Sequence, residues 1–350
     1  MKIGLCHEGH TPVGTTHHQR YHEMVREAVF AEEAGFDFYG LSEQHFLPDV
    51  ATTSAPEGLL TVVASQTSRI RLRFMSAVIS INHPIRITER LNTLDVMSNG
   101  RAELGLARSN NPNTLSAFNV SPTTTRARLQ EGLGIIFSAL NDGVFAGSGD
   151  IWDVPERPVV PAAVQQPHPP VFLSATSVDT HEFGAKHGLG IMSGSTVLGW
   201  DYLKGNVDTY KSGIVDAVPM GKVVNDSIST FIATCHCAPT MEQALEPAAP
   251  VARLFMDVVM GMYTKLAKQS PDYEYLGRIA DLSEHMHDIP WLMEDNPYFH
   301  IGTPEYLIER FRRLESFGID ELILRIDGMG HDTNMKALEM IGEHVIPAFR

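Results

Sequence analysis

Short apolar runs alternate with amphipathic stretches along almost the whole chain. The first run, residues 2–6, precedes a helical pattern over 21–34. There Val25, Ala28, Val29, Ala31 and Ala34 fall near one face, and Gly35 follows where a C-cap belongs. The same cycle predicts strands at 38–41, 71–81 and 102–107, with helices at 56–67, 85–97 and 125–140. A Gly- and Pro-rich piece, 141–170, then interrupts the alternation. Strands resume at 171–173, 190–192 and 228–237, and a helix begins near Val178. A second insertion, 270–300, holds Asp281, Glu284, His285, His287 and Trp291. It precedes a helix over 304–317, a strand over 321–325 and a closing helix over 334–348.

Eight strands alternating with helices, unbroken by any low-complexity linker, predict a closed parallel (β/α)8 barrel, an α/β TIM barrel. The expectation is one domain over 1–350. The insertions 141–170 and 270–300 account for much of its excess over the basic barrel. An open doubly wound sheet would want a G-x-G-x-x-G turn after an early strand, and the first strand has none.

Composition narrows the partners. The chain has 27 basic and 42 acidic residues, a formal charge of −15, which argues against nucleic acid or an anionic membrane as the main partner. No apolar run approaches the ~18–20 residues of a membrane span. The N-terminus reads as a strand rather than a signal peptide, so a cytoplasmic location is expected. Three cysteines, Cys6, Cys235 and Cys237, fit a reducing compartment. Cys235, His236 and Cys237 look like a metal fragment, but no second ligand pair lies at zinc spacing, and alternation makes the segment a strand. His7, His10, His17, His18 and His22 crowd one segment without an H-E-x-x-H pattern, so no metal is assigned there and a substrate-facing loop is expected.

In a barrel the chemistry sits where strands end at their carboxyl edge. That rule selects the loop His7–His10, the run Glu43, Gln44 and His45, the end of the third strand near Ser76, the loop headed by Arg108, and Ser174–Ser177. Arg108 suits a phosphate, because a guanidinium fork grips two oxygens at once; the plainer alternative is a pairing with a surface acid. Thr176, Ser177 and Thr180 surround a helix start, where hydroxyls and free N–H groups make an anion seat, or simply an N-cap. Together they predict a phosphorylated cofactor across the fourth and fifth strands. Phe46, Trp200, Trp291 and Phe299 are candidate pocket aromatics, and 270–300 is expected to form a lid.

The chain resembles the bacterial luciferase family of flavin-dependent monooxygenases, nearly end to end. The landmarks are Glu32–Asp37, Ser42–Phe46, His83–Arg86, Leu94–Arg101, Gln165–Pro170, Ile301–Pro304, and Gly318 with Ile319, and their order and spacing together carry the resemblance. The resemblance implies reduced FMN delivered by a separate NAD(P)H:flavin reductase, O2 adding at flavin C4a, and oxygenation of a small, largely apolar substrate by a homodimer. It implies that Arg108 grips the phosphate with Thr176, Ser177 and Thr180 opposite. It also implies that Met75 and Ser76 carry a non-prolyl cis peptide beside the flavin ring. Two departures stand out. The family's catalytic histidine is replaced by Gln44, leaving His45, or His10 and His7 of the first loop, for acid–base work, since an amide takes no proton near neutral pH. The cysteine before the phosphate arginine is Ala107. A deazaflavin (F420) hydride-transfer enzyme and a non-catalytic subunit are the alternatives.

Overall fold

A barrel interior cannot hold a large side chain from every strand, and this chain meets the limit by setting glycines against large residues. The computed structural model describes residues 1–350. Its strands are β1 (Lys2–His7), β2 (Phe38–Ser42), β3 (Arg71–Val78), β4 (Ala102–Ala107), β5 (Val144–Ser148) and β6 (Asp153–Pro158). After them come β7 (Val171–Ala175), β8 (Gly190–Ser193), β9 (Ile228–Ile232), β10 (Thr234–Cys237), β11 (Phe299–Gly302) and β12 (Glu321–Arg325). Eight of these close a parallel barrel in the order β1, β2, β3, β4, β7, β8, β9, β12. Cys6, Phe38, Met75, Phe172, Met192 and Ile323 fill its interior. A Cβ on Gly4 would stand 2.0 Å from the Phe38 ring, and one on Gly190 would stand 2.4 Å from Phe172. The floor is closed by Arg73, sandwiched between Phe38 and Phe172 and paired with Glu103 at 2.6 Å and Glu321 at 2.8 Å.

Gly105 is the sharpest case. A Cβ there would lie 2.2 Å from Met192 Cε and 2.4 Å from the Phe74 carbonyl oxygen, and a backbone oxygen cannot rotate away. Gly105→Ala is therefore expected to destabilise by about 1–3 kcal/mol, the usual range for overpacking. Guanidinium denaturation checks this; an unchanged midpoint would show that β3 and β4 can part without cost.

Outside the barrel the helices turn apolar stripes onto the strands, burying a cluster that includes Ile3, Leu5, Leu60, Leu91, Leu133 and Phe311. Three expectations shift. The predicted strand 71–81 stops at Val78, because Glu43 takes the Val78 N–H at 2.8 Å and Ile81 folds back to donate to the Val78 carbonyl at 3.2 Å. The predicted strand 228–237 breaks after Ile232. Ala233 donates instead to the Tyr298 carbonyl at 2.9 Å, and β10 leaves the barrel to pair with β11. Residues 141–170 hold the antiparallel pair β5 and β6.

Several helices went unmarked by periodicity alone: Pro112–Ala117, Trp200–Gly213 and the 27-residue Met241–Ala267. The last contains Pro247 and Pro250, which read as breakers, yet buries Ala248, Val251, Phe255, Val259 and Tyr263 along one face. No helix is long and apolar enough to cross a membrane.

Candidate active site

The carboxyl ends of the strands open into a cavity of about 1260 Å³, counting the open space at its mouth. Its lining divides into two halves of different chemistry. One is polar and cationic, built from Arg108, Thr176, Thr180, Ser174 and Ser76. The other is largely apolar, with Leu47, Val50, Phe231, Phe255, Val259 and Met262 around Glu8 and Gln44. Met75 lies on the wall beneath.

Arg108 leaves the end of β4 in a tightly held loop. Ser109 adopts φ 76°, a left-handed conformation uncommon for a residue with a side chain, and Tyr273 donates to its carbonyl at 3.1 Å. The guanidinium lies over the Tyr273 ring, 4.9 Å from its centroid. Nη1 is buried without a hydrogen-bond partner; the Asp272 carboxylate stands 3.6 Å away. Arg126 reaches the same carboxylate oxygen at 3.4 Å. Two cations thus converge on Asp272, Arg126 pairs as well with Asp179 at 3.3 Å, and the surface-acid alternative for Arg108 is the contact the structure shows. Arg126 lies on the predicted helix 125–140 and was not among the expected site residues. In the same half, after the neighbouring strand β7, the helix Val178–Lys186 presents its N-terminus with Thr176 and Thr180. Nine residues of helix and free N–H groups there favour an anion.

Ser177 does not line the cavity. Its hydroxyl caps the helix, 3.3 Å from the Thr180 N–H and 2.9 Å from the Thr180 hydroxyl. Met75 and Ser76 sit on the wall, but the cis bonds of the chain are Val160–Pro161 and Gln166–Pro167. The expected cis peptide at Met75 is therefore corrected. The strand accommodates the site by a register shift between Phe74 and Ala77 against β4.

Two histidines named for acid–base work turn away. His45 is held by Glu43 at 3.1 Å and packs against Phe46 and Phe118, outside the cavity. His10 is covered by Gly328, and burial lowers its pKa to about 4, so it stays neutral and unexposed. His7 is also behind the wall, wedged between Glu27 at 2.9 Å and the Tyr39 hydroxyl at 3.2 Å. Gln44 alone of that group faces the cavity, and its Nε2 donates to Glu8 Oε1 at 3.1 Å.

Glu8 lies in the first loop that the carboxyl-edge rule selects, but the sequence gives it no role. Burial pushes its carboxyl up against the downward pull of Arg325, which pairs with it at 3.1 Å. The carboxyl-edge rule could have flagged Arg325, the last residue of an apolar strand. The inner face of Met241–Ala267 was also missed; its signal was Phe255, Val259, Met262 and Tyr263 at helical spacing. None of Phe46, Trp200, Trp291 and Phe299 reaches the cavity. Phe46 is exposed, Trp200 stacks with Arg313, Trp291 stacks on His285, and Phe299 is core. Of the expected lid, Tyr273 and Tyr275 wall the cavity and Asp272 faces Arg108, while helix Ile289–Asp295 packs elsewhere.

Behind the first loop a buried ionic network holds the wall. Asp327 Oδ2 accepts from the backbone N–H groups of Glu8, Gly9 and His10 at 2.9, 2.9 and 3.1 Å, and Oδ1 pairs with Arg20 at 2.9 Å. Arg20 also pairs with Glu27 at 2.7 Å. Burial alone would raise the Asp327 pKa, but Arg20, then His7 and Arg325, hold it at about 2. A carboxyl lowered from an ordinary 3.8 stabilises the fold above that value, and loses its contribution as pH falls toward 2. The loss is expected to reach roughly 2–3 kcal/mol. Denaturation midpoints between pH 5 and about pH 2 check it: an Asp327→Asn chain should show a flatter acid limb, and an identical limb would reject the assignment.

Comparison with known proteins decides the family. The sequence profile of luciferase-like monooxygenases matches residues 1–321. The chain belongs to the luciferase-like monooxygenase family. It is 26% identical over 344 residues to the oxygenase component of a flavin-dependent trigonelline monooxygenase of Acinetobacter baylyi, covering 95% of this chain and 91% of the relative. It is 25% identical to the alkanal monooxygenase alpha chain of Photobacterium leiognathi, covering 99% of this chain and 98% of that one. An uncharacterised Sinorhizobium fredii protein is 30% identical over 173 residues, and there the match spans only half the length of the relative. In fold, the monooxygenase RslO1 of Streptomyces bottropensis superposes with a TM-score of 0.81 at 20% identity, over all of both chains.

Proposed function

We propose that this luciferase-like enzyme is the oxygenase component of a two-component system. It takes reduced FMN from a separate NAD(P)H:flavin reductase and uses it with O2 to oxygenate a small, largely apolar molecule. The observation that carries this reading is the buried Nη1 of Arg108, without a hydrogen-bond partner, set beside Arg126 and on the strand next to the helix start with Thr176 and Thr180. A phosphate satisfies that cation and that helix terminus together, so the residues present fit FMN. The trigonelline relative is named an oxygenase component, and a neighbour of the same fold, a 3,6-diketocamphane monooxygenase, was solved in complex with FMN.

Bound there, reduced FMN would supply two electrons to O2, one oxygen atom entering the substrate and the other leaving as water. The chain would do the rest: Arg108, Arg126, Thr176 and Thr180 hold the phosphate, and Met75 and Ser76 support the ring. The apolar walls exclude water, which strengthens every polar contact within. Gln44 is the polar side chain facing the substrate half, and as an amide it orients by hydrogen bonding rather than by proton transfer. A homodimer is part of the proposal, and the helices Pro56–Gln66 and Pro84–Met97 offer it the exposed apolar side chains Val62, Val96 and Met97.

The test is anaerobic titration with reduced FMN, followed by mixing with oxygenated buffer while recording flavin spectra. Saturable binding, with reoxidation of the bound flavin slowed relative to free reduced FMN, is the expected result. Binding of F420 but not of reduced FMN would replace the proposal with hydride transfer. Absence of any flavin binding would leave a non-catalytic subunit.

A further inference from the structure

Gln44 and the tyrosines of the apolar half define what that half recognises. The Gln44 Nε2 is anchored on Glu8, whose other oxygen pairs with Arg325; Arg325 is itself fully buried and donates to the carbonyls of Ala233 at 3.1 Å and Val50 at 3.3 Å. The main chain of Glu8 is pinned as well. Its carbonyl accepts from the Thr52 N–H at 2.8 Å and from the Thr53 hydroxyl at 3.0 Å. The amide of Gln44 therefore has one orientation. Its nitrogen faces the carboxylate, and its carbonyl Oε1, without a protein partner, is left for the cavity.

Two donors stand in the same half. Asn110 Nδ2 donates to the Tyr263 hydroxyl at 3.1 Å, which leaves the Tyr263 proton free, and Tyr298 also lines the cavity. Both phenols keep their protons near neutral pH, because burial pushes Tyr263 up to about 12 and Tyr298 well above the ordinary value. The one charged group among them, Glu8, is matched by Arg325, so a net charge on the ligand would find no counter-ion there. The walls are aromatic: Phe231, Phe255, Tyr263 and Tyr298.

We infer that the substrate half is built for a neutral hydroxyarene, an aromatic body whose O–H donates to Gln44 Oε1 and whose oxygen accepts from a tyrosine hydroxyl. Gln44 is thus a specificity-determining residue of this cavity. The inference rests on the monooxygenase reading above and names the substrate class for that same cavity.

The experiment uses the full chain saturated with oxidised FMN, where no turnover occurs, and calorimetric titration with 1-naphthol and 1-methoxynaphthalene. In the second ligand a methyl group replaces the donor proton, and the Gln44→Leu chain separates the lost donor from the added bulk. 1-Naphthol is expected to bind on the order of five- to tenfold tighter, the range one buried hydrogen bond supplies. Gln44→Leu should bring the two within about twofold while leaving FMN affinity unchanged, which reports that the fold is intact. Tyr263→Phe should weaken both ligands alike, since each offers an acceptor oxygen, and preserve their ratio. Equal affinities in the wild-type chain, a ratio retained in Gln44→Leu, or failure of both aryl ligands to bind beside FMN would each overturn the inference and leave the flavin reading standing. If oxidised FMN does not bind, the same ratio measured on the cofactor-free chain decides the substrate class on its own, while the flavin reading stands or falls by the anaerobic titration with reduced FMN.

Discussion

An Arg108→Ala chain is expected to bind reduced FMN on the order of 30- to 150-fold more weakly, with its fold retained. The side chain would make charge-assisted hydrogen bonds to a phosphate in a site screened by Tyr273, and such bonds are worth roughly 2–3 kcal/mol. Stability should change little, because Asp272 keeps Arg126 as its partner at 3.4 Å after the truncation. Arg108→Lys should fall between the two, since an ammonium supplies charge without the planar fork. Equilibrium titration under anaerobic conditions measures all three chains. Wild-type affinity in Arg108→Ala would place the phosphate elsewhere and reduce the arginine to a partner for Asp272.

Loss of Arg20 should have the largest effect on stability. Arg20 is fully buried and is shared by Glu27 and Asp327, with Glu23 at 3.6 Å. Arg20→Leu removes the shared guanidinium from two buried carboxylates, leaving Glu27 with His7 and His331 and Asp327 with backbone N–H groups, and breaking a buried pair from one side typically costs about 3–5 kcal/mol. The damage reaches the cavity, because Asp327 holds the backbone of Glu8, Gly9 and His10. Denaturant unfolding should show the loss directly. It should also be partly relieved at mildly acidic pH, where the stranded carboxylates take up protons. A variant with wild-type stability would mean that water reaches the network and replaces the guanidinium.

The barrel was legible because each strand and each helix carries its own periodicity, and neither needs distant residues to be recognised. Glycine after the first helix, the apolar run into Arg108 and the hydroxyl-rich start near Val178 are local signals of this kind. The break after Ile232 was not, since it depends on the Tyr298 carbonyl 65 positions along the chain. The same holds for Met241–Ala267, where prolines near the start hide a helix that packing sustains. His45 and His10 were plausible by position, but position on a loop does not say which way a side chain turns. Glu43 and Phe118 draw one ring outward, and Gly328 covers the other.

What the sequence by itself determined is the alternation of elements, hence the barrel, and the edge at which its chemistry gathers. Arg108, Thr176, Thr180, Ser76 and Gln44 were within reach of that reasoning because strand ends converge in any closed parallel barrel, and Met75 came from the family resemblance. Tertiary structure alone decided which of the nearby groups face the cavity and what each has already bonded. That Glu8 is neutralised by Arg325, that Gln44 offers an oxygen, and that Arg108 keeps a nitrogen unpartnered are facts of pairing between segments up to 317 residues apart. Burial makes those pairings strong, and no local pattern records them.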